Sequence, residues 1–117
     1  MVGKMWPYHY ADSLLILKRF EEARSLLRKT IPAARRVLGE SNDLTLRMRW
    51  NYATALYLDT SATLDDLREG MSTLEEIEPI ARRVLGGAHP ITVEIEENLQ
   101  NARAALRARE TPPGRVS

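Results

Sequence analysis

The chain has 117 residues with 17 basic and 16 acidic side chains, so its formal charge of +1 gives no global pull toward nucleic acid or a membrane. It contains no cysteine, which excludes disulfides, thiolate nucleophiles and cysteine-ligated zinc; a reducing compartment fits, and the expected location is cytoplasmic. Hydrophobic residues make up 44% and charged residues 28%, an ordinary balance for one globular domain, and the prevalence of Ala, Leu, Arg and Glu favours helix.

No apolar run approaches the ~20 residues of a membrane span, and the N-terminus lacks the long apolar stretch of a secretory signal. Residues 1–6 read as an irregular lead-in. Pro7 suits the first turn of a helix, where its missing N–H is harmless. From Tyr8 to Lys18 the spacing of Tyr10, Ala11, Leu14, Leu15 and Leu17 predicts a first helix with one apolar face. Met1 lies only a few residues before this element, an abrupt start that fits a piece of a longer array.

Phe20–Leu38 predicts the second helix, with Phe20, Ala23, Leu26, Leu27, Ile31, Ala34 and Leu38 inward. Pro32 falls inside it, where a kink or local break is expected, and Gly39 closes it. Leu44–Leu58 is the third, with Leu46, Trp50, Ala53, Leu56 and Tyr57 inward. After the turn-rich stretch Asp59–Asp66, Thr63 or Asp65 caps a fourth helix running to Leu85. Its inward residues are Leu67, Met71, Leu74, Ile77, Ile80, Ala81 and Leu85, and Pro79 repeats the expected bend. Gly86–Gly87 stops it. Pro90 opens the fifth helix, striped by Val93, Ile95, Leu99, Ala102 and Leu106. Residues 111–117, with Pro112, Pro113 and Gly114, read as a disordered tail. The expected fold class is all-α, five helices in the order A-B-A-B-A.

The chain also repeats itself. ARRVLG occurs at Ala34–Gly39 and again at Ala81–Gly86, an offset of 47 residues. The same offset lays Phe20 on Leu67, Ser25 on Ser72, Leu27 on Leu74, Pro32 on Pro79 and LTLRMRWN (Leu44–Asn51) on ITVEIEEN (Ile91–Asn98). HYADSLL (His9–Leu15) aligns with NYATALY (Asn51–Tyr57) at an offset of 42, so about five residues are inserted near Asp59–Asp66. The units are residues 7–39 and 44–86 with a capping helix at 90–110. Periods in this range are the mark of solenoids built from stacked units.

The run RRVLGGAHPITVEIEENL (Arg82–Leu99), with Asn98 nine positions after His89, is similar to the tetratricopeptide repeats of kinesin light chain. That subfamily uses units of about 42 residues against the ~34 of the ordinary repeat. The first copy keeps Thr45 and Asn51 but has Ser41–Asn42–Asp43 in place of Ala-His-Pro. The resemblance implies antiparallel helix pairs in a right-handed α-α superhelix of about two and a half units. The first helix of each pair would line a concave groove, and the fifth helix would close the stack with Glu94, Glu97, Arg103 and Arg107 on its outer face.

Helical spacing off the buried stripes selects the groove candidates. They are His9, Asp12 and Ile16 in the first unit, and Arg47, Asn51, Thr54 and Leu58 in the second. The fifth helix adds Glu94, Asn98, Asn101 and Ala105. Asparagine offers donors and acceptors together, which suits the backbone of an extended peptide. The competing reading is that these asparagines bond to neighbouring helices or to water. Trp50 and Tyr57 read as core residues.

Only His9 and His89 are present as histidines, and one histidine with scattered acids is a poor metal set. Paired acids such as Asp65–Asp66 and Glu75–Glu76 read as solvated helix faces. No phosphate loop or nucleophile motif occurs. The expectation is a non-enzyme without cofactor or metal: an interaction scaffold binding a protein or peptide partner in the groove. The alternatives are a non-binding capping fragment of a longer repeat protein and, more distantly, nucleic-acid binding through Arg103, Arg107, Arg109 and Arg115. Association of copies through the N-terminal repeat edge is also open.

Overall fold

The computed structural model describes residues 19–59 and 61–110, and these residues form four α-helices: α1 (Phe20–Val37), α2 (Asp43–Leu58), α3 (Leu64–Leu85) and α4 (Pro90–Glu110). The helix expected over 8–18 and the tail at 111–117 lie outside the described residues, so the expected five helices stand as four. No strand occurs among the described residues.

Local chemistry sets each boundary. Glu21 and Glu22 in the first turn of α1 and Arg35 and Arg36 in the last complement its dipole. Gly39 then adopts φ 91°, a left-handed conformation that side chains resist. The Asn42 side chain caps α2 by accepting from Leu44 N at 2.8 Å. Asp59 ends α2 in extended conformation, and its Oδ1 accepts from Ser61 N at 2.9 Å. Of the two residues expected to cap α3, Thr63 does so: it accepts from Asp66 N while Asp66 accepts from Thr63 N, each at 3.1 Å, a reciprocal capping box. Gly86, at φ 97°, ends α3. The His89 ring caps α4, Nδ1 accepting from Ile91 N at 3.1 Å.

Neither proline breaks its helix. Pro32 lies within continuous α1 and Pro79 within continuous α3. Both prolines are exposed.

Each helix packs on its sequence neighbours; α2 also touches α4, whereas α1 makes no packing contact with α3 or α4. One core joins Leu46 and Ala53 of α2, Leu74, Ile77 and Ala81 of α3, and Ile91, Ile95, Leu99 and Ala102 of α4. A second joins Leu27 and Ala34 of α1 to Met48, Tyr52 and Leu56 of α2. Helix α2 is therefore shared by both cores and buried nearly all round. Gly70 lets α3 approach α2 closely: a Cβ there would lie 3.3 Å from both Ala53 O and Leu56 Cβ.

Two expected core residues are not buried. Leu38 lies beyond the last turn of α1 and is 39% exposed, and Val93 is 37% exposed on the outer side of α4. The first turn of α4 buries Ile91 and Thr92 instead. Phe20, Leu26, Ile31, Trp50, Tyr57, Met71, Ile80 and Leu85 pack at the core edges, half-buried.

Candidate functional site

The described residues expected to line the groove lie on α2 and α4. His9, Asp12 and Ile16 lie outside the described residues. On α2, Arg47 is half-buried and donates from Nε to Asp43 at 3.0 Å. Thr54 is half-buried, its hydroxyl donating to Trp50 O at 2.9 Å. Leu58 is exposed. On α4, Glu94 and Asn101 are exposed, and Asn98 and Ala105 are half-buried.

One of these positions, Asn98, is met by a residue expected in the core. Trp50 packs on the α2–α3–α4 core by its ring and donates from Nε1 to Asn98 Oδ1 at 2.7 Å. The bond ties the two copies and takes up the oxygen of the Asn98 amide, leaving its NH2 group as the donating end. Asn51, expected on the open face, is 7% exposed, and its Nδ2 has no hydrogen-bond partner. Its helix neighbours Met48, Tyr52 and Ala55 are buried with it, so this asparagine belongs to the interior side of α2.

A second concavity separates α1 from α3. It is a groove of about 320 Å³ floored by Arg49 and Tyr52 of α2, with Arg28 and Arg35 on the α1 wall and Glu69, Thr73 and Glu76 on the α3 wall. A polar relay crosses it: Arg28 Nη2 donates to Tyr52 Oη at 2.8 Å, and Tyr52 donates to Glu69. Burial, reinforced by the bond to Glu69, raises the Tyr52 phenol above its ordinary value of 10.0, so it keeps its proton at neutral pH. The bond to Tyr52 likewise raises Arg28. Arg49 is 5% exposed and pairs with Glu76 across the same groove.

Sequence reasoning missed this groove. Its signal was present in the copies themselves, because Arg28 and Arg49 occupy the positions of Glu75 and Glu96 at the offset of 47. Identities between the copies draw attention to the shared scaffold; the charge reversals mark where the copies differ.

Among the described residues no group of three or more His, Asp or Glu is placed to hold a metal ion. Among them, too, no helix is long and apolar enough to cross a membrane. The groups on offer are amides, hydroxyls, guanidiniums and carboxylates arranged for hydrogen bonding and ion pairing. Comparison with protein-family models, curated proteins and solved structures finds no match.

Proposed function

We propose that the chain is a protein-interaction scaffold of the tetratricopeptide type, which takes an extended peptide segment along the open side of α2 and α4. The observation that carries this reading is the Trp50–Asn98 bond across α2 and α4. These are corresponding helices of two sequence copies, and successive copies stacked in the same sense form a solenoid with one continuous face. Asn98 offers amide donors there, and the other polar candidates are Arg47 and Thr54 on α2 and Glu94 and Asn101 on α4. Such groups match the carbonyls and N–H groups of an extended backbone.

A second reading, α4 as a non-binding cap, is favoured by its outer face. Where α2 turns Leu46, Trp50, Ala53 and Tyr57 toward the following helix, α4 has Val93, Glu97, Gln100 and Ala104, all exposed. Capping and binding use different sides of α4, so both roles are compatible.

The test is selection of binders from a random peptide library, followed by titration against the folded variant Asn98→Glu with Asn101→Glu. The scaffold reading expects the selected peptides to lose at least about tenfold in affinity, as when hydrogen-bond partners worth ~1.4 kcal/mol are lost. Unchanged affinity, with an unchanged melting temperature of the variant, would refute the groove.

A further inference from the structure

The loop after α1 places a carboxylate between two arginines. Glu40 Oε2 meets Arg35 Nη2 at 3.1 Å, and its Oε1 faces Arg49 Nη1 at 3.6 Å. The Arg49 side chain is 6% exposed, while Glu40 and its other partner, Glu76, are 52% and 63% exposed. A guanidinium buried to that degree needs carboxylate company. Here both carboxylates reach in from the solvent side.

The second copy shows what is unusual about this arrangement. Arg35 corresponds to Arg82, and Arg49 to Glu96, at the offset of 47. In the second copy Arg82 pairs with two carboxylates of the helical scaffold, Glu78 of α3 and Glu96 of α4. In the first copy the counterpart of Glu96 has become an arginine, and so has the counterpart of Glu75, Arg28. The seat between the helices thus holds two guanidiniums, and of the two carboxylates that meet Arg49 one, Glu76, comes from α3 and the other from a loop position, Glu40, whose counterpart is Gly87.

We infer that the Arg35–Arg49 seat recognises a carboxylate side chain of a partner peptide, with Glu40 as the resident carboxylate that the partner's replaces. Two guanidiniums facing the two oxygens of one carboxylate give charge-assisted recognition with defined geometry. The groove leads from the seat past Tyr52 to Glu69, Thr73 and Glu76 on α3. That opposite wall is acidic, so it disfavours a run of acids and accepts the N–H or ammonium donors of a neighbouring residue. The fitting segment therefore carries one Asp or Glu beside a Lys or Arg. This inference shares with the scaffold reading only the idea of a peptide partner; it uses the α1–α3 groove and none of the α2–α4 face.

The experiment titrates the full chain with a short, terminally capped peptide containing Glu beside Lys, with its Gln counterpart, and with inorganic phosphate. Binding is followed through the arginine Nε–H signals in NMR. The Glu peptide should bind at least about fivefold tighter than the Gln peptide, as expected for a charge-assisted pair. Glu40→Gln should tighten it about threefold, the worth of removing an exposed competing ion pair. Arg35→Gln and Arg49→Met should each weaken it about tenfold, and Arg82→Gln in the second copy should leave it unchanged. Should Arg49→Met fail to fold, the half-exposed Arg35 still tests the seat. Equal binding of the Glu and Gln peptides, or no tightening by Glu40→Gln, would overturn the proposal. So would phosphate binding with the same variant dependence while the Glu peptide does not bind. Loss of binding in Asn98→Glu with Asn101→Glu alone would implicate the α2–α4 face instead and likewise overturn it.

Discussion

Replacing Tyr52 with phenylalanine removes one oxygen and keeps the ring. Tyr52 is 8% exposed and its ring belongs to the α1–α2 core with Leu27, Met48 and Leu56. The hydroxyl links Arg28 on α1 to Glu69 on α3, two helices with no packing contact of their own. Bonds to charged groups contribute roughly 1.5–3 kcal/mol each when buried. Arg28 and Glu69 are both exposed, however, and water replaces much of what they lose. The expected cost of Tyr52→Phe is therefore about 1–2 kcal/mol for the pair, against ~3–5 kcal/mol for Tyr52→Ala, which also empties the core. Urea unfolding followed by circular dichroism measures both. The pH dependence gives a further signature. The folded-state value of Tyr52 is raised, so the stability linked to its proton is fully present below pH 10 and is lost as pH climbs through the folded value. Tyr57 is raised by burial as well, so the wild type should weaken in alkali through both phenols, and Tyr52→Phe should weaken less steeply. A Phe variant as damaged as the Ala variant would refute the separation of ring from hydroxyl. An unchanged alkaline slope would refute the role given to the Tyr52 proton.

Gly70→Ala should destabilise by roughly 1–3 kcal/mol despite the better helix propensity of alanine, because the added Cβ meets Ala53 O and Leu56 Cβ at 3.3 Å; a stabilised variant in a thermal melt would refute that close approach. Thr63→Ala removes half of the capping box and should cost about 1 kcal/mol by urea titration, whereas Ser at the same position should cost much less. Equal losses for Ala and Ser would count against the cap. Ile77→Ala, at a site of 0% exposure, should cost about 2–5 kcal/mol in the same assay, and a loss below 1 kcal/mol would show that the shared core is not packed as described.

Much of this architecture is legible in the amino-acid sequence because the two copies read each other. The glycines at 39 and 86, the capping threonine and the inward stripe of α3 follow from local rules that tertiary context does not override. Helix α2 is where such rules run out. Its sequence carries apolar residues beyond the expected stripe, Met48, Tyr52 and Ala55 among them, and spacing alone sends Asn51 to the open face. Neighbours on three sides cover α2, and Asn51 is buried while Trp50 reaches the rim. Val93 fails for the converse reason: it continues an apolar stripe, but no further described helix packs over it. The Arg35–Glu40–Arg49 seat depends on a loop bringing a carboxylate back to two helices, a geometry that periodicity does not encode.

The sharing of α2 by both cores implies one cooperative unit of the described helices. Its most direct test is a pair of thermal melts followed by far-UV circular dichroism, with Leu27→Ala in the α1–α2 core and Ile95→Ala in the α2–α3–α4 core. Each substitution should cost about 2–5 kcal/mol. Both should lower the midpoint of a single cooperative transition of the whole helical signal, because α2 belongs to both cores. A melt that splits, with Leu27→Ala releasing part of the signal early and leaving the rest at the wild-type midpoint, would contradict it.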